Sequence, residues 1–387
     1  MHTGVNSNKH HHRGFTIVEL LVVIVVIGVL AAITIVSYTG VTNKAIIASI
    51  KSDLANASQQ LKFYQVTNGS YPTSLDASYC PIPVDSARCL KPSPGTSYQY
   101  TANNTGSQTF SLYAINSDNK YRITNDSNPT PYTSVVATGG TVVDSGGFRT
   151  HTFTTPGDTF SVTSGGNIEV LVVAGGGSGG TSRVGSGGGG GGGAGGLIYN
   201  PSYPVTAQSY TVVVGSGGAA VVSDSLTGNN GGSSVFDSLT AIGGGGGGKG
   251  SGPGDPGAIG GSGGGAGYKG YTYLAGAAGT VGQGNKGGDT LNSNNAGGGG
   301  GAGGVGGNTY DCRPTTCTIG KGGLGGLGLS YLISGTSVAY AAGGSGGSPP
   351  GGVASGAANT GNGGTGVYAA GNSGAGGSGI VIIKYPL

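Results

Sequence analysis

Residues 13–36 read RGFTIVELLVVIVVIGVLAAITIV, a basic flank and a Gly-Phe junction leading into an almost unbroken apolar run. From Leu20 to Val36 only Gly28 and Thr34 depart from Leu, Ile, Val and Ala. With Phe15 to Ile17 included, the run approaches the roughly 20 residues that cross a hydrocarbon core. Glu19 is the exception. A carboxylate in the middle of a lipid-facing helix costs about 3 kcal/mol or more, so it is expected to be functional and to have a partner. An ordinary secretory signal has its small-residue cleavage site after the apolar core, whereas here the junction precedes it. The plainer alternative is a signal anchor with an incidental glutamate. The flank also holds His10, His11, His12 and Arg13. Three adjacent histidines suggest a metal site or a tag, and in a leader that is cut off they would be only polar or basic flank.

The same residues resemble the class III leader of type IV pilins and pseudopilins, which a prepilin peptidase cuts after its glycine. The resemblance implies that Gly14 ends the leader and Phe15 becomes the N-methylated terminus. Glu19 is then the fifth mature residue. In that family the glutamate is neutralised by the terminal amine of a neighbouring subunit. A single buried ion is costly and a well-placed pair much less so, which agrees. The implied partners are the prepilin peptidase, other pilin subunits held through this helix, and the membrane before assembly.

The chain has 387 residues, a net charge of +3 and only 8% charged residues, so no strong electrostatic partner is implied. Glycine is the anomaly. There are 90, and only 12 precede residue 161, which divides the chain into two unlike halves. Beyond the leader the one histidine is His151, which leaves little room for acid-base or zinc chemistry. Cys80/Cys89 and Cys312/Cys317 form two close pairs without C-x-x-C spacing. On an exported chain they read as two local disulfides, with a four-cysteine zinc site as the lesser alternative.

After the apolar run, Ile46, Ile47, Ile50, Leu54, Ala57, Leu61 and Tyr64 recur at three- and four-residue steps, the stripe of an amphipathic helix. Asn68-Gly69 stops it, with glycine at the position that tolerates left-handed geometry. Three alternating runs follow, Tyr98 to Ala102, Thr109 to Ile115 and Lys120 to Ile123, and read as an antiparallel meander. The absence of proline from residues 15–63 departs from many major pilins and favours a pseudopilin or minor-pilin type.

Asn128-Pro129-Thr130-Pro131 reads as a short linker. Beyond it, strands are expected at Phe148 to Phe153, Thr159 to Val162, Ile168 to Val173, Tyr210 to Val214 and Gly379 to Tyr385. A strong strand at each end, with glycine tracts between, predicts a compact β base closed by pairing of its ends. The tracts, including 187–193, 243–248 and 297–301, could form a flexible coil. Bracketing strands and apolar inserts such as Leu197-Ile198-Tyr199 oppose that reading, and there is no collagen-like G-X-Y period. A bundle of polyglycine II helices fits better, since only hydrogen side chains allow such close approach. The region from about Val135 to Leu387 resembles the glycine-rich domains of certain phage tail-fibre tip adhesins. Its opening, Val170 to Gly177, and its ending, Ser378 to Tyr385, also resemble glycine-rich modules of bacterial surface proteins.

The fold class expected is α+β. A long N-terminal membrane and filament helix carries a small antiparallel sheet, followed by a β base with polyglycine II-like segments. The expected divisions are a leader (1–14), the pilin helix (15–67), a sheet head (68–127), a linker (128–134) and the glycine-rich domain (135–387). In the phage adhesins, loops between glycine helices touch the receptor. Candidate adhesive residues on that basis are Tyr199, Tyr203, Tyr268, Lys269, Tyr271, Tyr273, Tyr310 and Arg313. Tyrosines suit glycan or protein surfaces at low entropy cost, though the same rings would serve to cap a glycine layer.

No catalytic constellation is present, the glycine tracts lack a G-K-[ST] ending, and no cofactor is implied. From residue 170 onward seven Lys/Arg face five Asp, too dilute for a nucleic-acid partner. The reading expected first is therefore a non-enzymatic type IV pilus minor or tip subunit, in the cell membrane before processing and on an extracellular pilus or the cell surface afterwards. Its glycine-rich domain would meet a host-cell or surface glycan or protein receptor. Two alternatives are a pseudopilin of a type II secretion or DNA-uptake machine with the glycine domain as spacer, and a membrane-anchored surface protein.

Overall fold

The computed structural model describes residues 17–387 apart from 84, 106–107, 185–186, 223–224, 253, 269, 271, 291–293, 310–321 and 350–351, and apart from the side chains of 34–37 and 39. Gly14, Phe15, Cys312 and Cys317 therefore lie outside the described residues. The helix α1 runs Ile17–Asn68, 52 residues, or about 78 Å at 1.5 Å per residue. Its first half is bare, with apolar side chains from Ile17 to Ile33 about half or more exposed. Among the described residues no helix is long and apolar enough to cross a membrane. The described run covers about 25 Å, against a hydrocarbon core of about 30 Å.

The second half of α1 buries its stripe. Ile50, Leu54, Ala57 and Leu61 pack on a four-stranded antiparallel sheet through Phe110, Leu112, Ala114 and Ile123. Gly69, at φ +78°, ends the helix by donating its N–H to the Gln65 carbonyl at 2.8 Å. The sheet order is Ser97–Asn103, Thr109–Asn116, Asn119–Thr124 and Thr130–Pro131. The fourth strand lies in the stretch expected as linker, where Thr130–Pro131 pairs with Tyr121 and Arg122. A Cys80–Cys89 disulfide closes the loop before the sheet.

The glycine-rich half begins with two five-stranded antiparallel sheets. One orders Leu239–Ala241, Ser234–Phe236, Ser209–Val213, Asp158–Ser164 and Val136–Thr138. The other orders Leu197–Val205, Gly166–Val173, Ile380–Pro386, Phe148–Phe153 and Thr141–Ser145. The side chains between them include Phe153, Phe160, Val172, Val212, Phe236 and Ile383. The ends of the region do pair, from Phe148↔Pro386 to Phe153↔Val381. His151 lies in this core, fully buried, with Nδ1 2.7 Å from the Gly139 carbonyl and Nε2 2.8 Å from the Tyr385 hydroxyl. Its pKa is lowered, first by burial and then by the Arg149 charge, against the bond to Gly139.

The glycine tracts are not coil. Along 188–196 successive N–H groups turn to three different neighbours in rotation. Gly188, Gly191 and Ala194 donate to Asn294, Gly297 and Gly300; Gly189, Gly192 and Gly195 donate to Val367, Gly364 and Gly361; Gly190, Gly193 and Gly196 donate to Gly248, Gly245 and Ile242. Their carbonyls accept, again in threes, from segments near Tyr268 to Ser262, Gly347 to Gly344 and Gly180 to Ala174. One strand thus has six neighbours, and each neighbour bonds to the next around the ring. That three-residue period is polyglycine II, packed hexagonally. A Cβ at Gly191 would sit 2.0 Å from the Gly344 carbonyl oxygen, and one at Gly190 2.0 Å from that of Gly265. Dense bonding offsets the entropy of ordering glycine, and the longest glycine tract of the sequence, 187–193, lies in this six-neighbour strand.

Candidate functional site

The array has two chemically different ends. At Ala194–Gly196 the neighbours are Gly300, Gly361, Ile242 and Ala174, and the chain runs on into the β base. At Gly188–Gly190 the neighbours are Asn294, Val367, Gly248, Tyr268, Gly347 and Gly180. Those six residues, and the described parts of the turns that leave them, therefore share one distal face. The head touches the base instead: Arg122 Nη1 donates to Ser202 Oγ at 3.0 Å, Lys384 Nζ to Thr101 Oγ1 at 3.2 Å, and Tyr113 meets Phe148 edge-on at 5.8 Å. Helix, head, base, glycine array and distal turns thus follow one another.

The structure divides the candidate adhesive residues. Tyr199 and Tyr203 lie in the Leu197–Val205 strand of the base, not at a loop tip. Tyr199 donates to Glu169 Oε1 at 2.9 Å, and its ring meets that of Tyr331 at a tilt, 4.8 Å between centroids. Burial and the Glu169 charge push its hydroxyl well above the usual tyrosine range, so it is a packing residue. The Tyr203 hydroxyl bonds to Asp237 and Ser238, and its ring packs on Phe236. Tyr268 and Tyr273 stand at the distal turns. Tyr268 is half-buried beside Gly187, and Tyr273 is 58% exposed. Lys269, Tyr271, Tyr310 and Arg313 lie outside the described residues.

Asp289 organises this face, and the sequence reading missed it. Its carboxylate accepts from Lys286 Nζ at 2.6 Å, the Gly276 N–H at 2.8 Å and the Tyr273 hydroxyl at 3.1 Å. Its own N–H donates to Asn308 Oδ1 at 2.8 Å and its carbonyl accepts from the Thr309 N–H. Burial raises its pKa, but donation from Lys286 and Gly276 outweighs this and holds the carboxyl below the usual range. A second group on the face is apolar: Val184 (77% exposed), Val222 (72%) and Leu226 (48%), joined where Thr181 and Leu226 exchange bonds. The legible signal for both was the regular interruption of glycine tracts by short polar or apolar inserts. Such a face, rigidly held and mixed in Tyr, Asn, Ser and aliphatic groups, is suited to contact with another macromolecule. Among the described residues no cluster of metal-binding side chains occurs.

A model of a family described as a glycine-rich domain matches residues 150–386. The chain belongs to the glycine-rich domain family. That match starts within the Phe148–Phe153 strand and ends within Ile380–Pro386, the two strands that close the base. A second model, the prokaryotic N-terminal methylation motif, matches residues 9–35, ahead of the glycine-rich domain and across the Gly14-Phe15 junction. Three relatives share the name type II secretion system core protein G. The one from Dickeya chrysanthemi is 38% identical over 66 residues, 17% of this chain and 43% of that protein. The one from Klebsiella pneumoniae is 40% identical over 62 residues, 16% and 44%. The one from Pseudomonas aeruginosa is 26% identical over 126 residues, 29% and 88%. The chain thus spans less than half the length of the first two. It carries a prepilin-type N-terminus of the pilin and pseudopilin kind.

Proposed function

We propose that this chain is a pseudopilin-type subunit of a secretion machine, cut after Gly14 by a prepilin peptidase, N-methylated at Phe15 and assembled with other subunits through α1. The observation that carries the reading is the division of α1. Its second half is buried in its own head, while its first half exposes apolar side chains that need a lipid or protein environment. By sequence the run extends through Phe15 and Val36 on either side, long enough to anchor the precursor in a membrane. The name of the relatives favours secretion over a type IV pilus. The glycine-rich domain then serves as a spacer that is also a rigid platform, and the subunit is structural rather than catalytic. The type IV pilus tip subunit, with adhesion to a glycan or protein receptor, stays as second reading because the distal face stands away from the head. Glu19→Leu is the test: incorporation into filaments should fall to background while membrane levels hold. Undiminished incorporation would refute assembly through a paired glutamate.

A further inference from the structure

The base sandwich has four lateral edges, and three are blunted. Val136–Thr138 and Leu239–Ala241 are three residues long, and Leu197–Val205 carries Pro201 and Pro204. Shortness and proline both discourage further pairing. The fourth edge, Thr141–Ser145, has neither device. All five residues are exposed, including Val142 and Val143, and the single charge, Asp144, is held by Arg149 through two bonds of 2.7 Å. The Gly146-Gly147 turn has φ of +58° and +81°, a two-residue type I′ turn. It makes Ser145 and Phe148 a hydrogen-bonded pair, and alternation then points the N–H and C=O groups of Val142 and Asp144 outward. Among the described residues no backbone partner meets them there.

Beside this edge lies a groove of about 340 Å³ between base and head. Val143, Ser145 and Phe148 form one side, and Gln99 and Tyr100 of the head's own edge strand form the other. Gln99 Oε1 is buried without a hydrogen-bond partner among the described residues, and a buried acceptor left unmatched is costly. The amine at the groove, Lys384, is already engaged by Thr101, by Glu169 at 3.8 Å and by the Phe148 ring at 4.6 Å. The groove therefore offers unpaired backbone, an unfilled acceptor and no free cation from Lys384.

We propose that this edge and groove take an extended, uncharged segment of another polypeptide, added as a sixth strand beside Thr141–Ser145. Backbone bonds to Val142 and Asp144 supply affinity, and alternate guest side chains falling against Val143 and Phe148 select β-branched residues. A second copy of this chain is not the guest. Subunits assembled through parallel helices are related head to tail, and self-pairing of one edge needs a two-fold that cannot repeat along such an array. That choice of guest rests on the assembly reading, whereas the site itself does not.

The test uses the full chain in detergent micelles with an acetylated, amidated Thr-Val-Thr-Val-Thr-Val peptide at millimolar concentration, followed by amide hydrogen exchange. Exchange at Val142 and Asp144 should slow by about tenfold or more, while the Val136–Thr138 edge is unchanged. Val142→Pro removes an outward N–H where an edge strand accepts proline, and should weaken peptide binding by about tenfold or more. Val142→Lys is the second variant should proline unfold the hairpin, with the same expected loss. No slowing in the unmodified chain, or unchanged binding by both variants, overturns the site. Slowing without peptide that grows with protein concentration overturns the choice of guest and makes it a second copy.

Discussion

Single atoms decide the glycine array. A methyl group at Gly191 would meet the Gly344 carbonyl oxygen at 2.0 Å, with backbone on every side and no flexible side chain to yield. Gly191→Ala should therefore cost at least the 1–3 kcal/mol or so of ordinary overpacking, read as loss of soluble, folded protein. Gly352→Ala, where nothing lies within 4 Å, should leave thermal unfolding unchanged. His151 gives a second residue-scale expectation. Its folded pKa lies below the ordinary value of about 6.5, so as pH falls the unfolded state takes up the proton first. Stability of the base is then fully present above about pH 6.5 and declines as pH drops below it. Asp144, also lowered through its bond from Arg149, acts in the more acid carboxylate range. Thermal unfolding against pH should show the higher step, and His151→Phe should remove it.

The elements differ in how plainly the sequence announced them. α1 was legible to within a residue or two because two periodic signals, an apolar run and an i, i+3/i+4 stripe, met at a glycine stop. Leu54 is fully buried at the centre of that stripe, and Leu54→Ala should cost about 2–5 kcal/mol of head stability in denaturant unfolding. The Phe148–Phe153 and Gly166–Val173 strands were legible from β-branched and aromatic runs. Leu197–Val205 was not, because Pro201 and Pro204 argue against a strand unless it lies at an edge, as it does. Thr141–Ser145, Ser234–Phe236 and Leu329–Tyr331 were missed because they are short and sit among glycines. Tyr199 looked like an exposed insert. Only the pairing of Leu171 with Tyr199 reveals it as sheet packing. Asp289 was signalled only through the polar inserts between glycine tracts, since its five partners, Lys286, Gly276, Tyr273, Asn308 and Thr309, come from three separate stretches of chain. Asp289→Ala should leave the base unfolding unchanged while making the chain near Tyr273 and Asn308 more open to proteolysis.

On the scale of the whole molecule, two folding strategies are joined end to end. The head has a conventional core of Leu, Ile and aromatic side chains, and the array beyond the base replaces side chains with backbone hydrogen bonds. The junction is fixed by Arg122 with Ser202 and by Lys384 between Thr101 and Glu169. A composition of one glycine in three is usually read as a tether, and what overrides that reading is the pair of strong strands that close the base on either side of the tracts. Whether the glycine-rich half is one rigid body is read from amide hydrogen exchange across residues 188–196. Protection there should equal that of the Gly166–Val173 and Ile380–Pro386 strands. Exchange at the rate of an unstructured chain would contradict it.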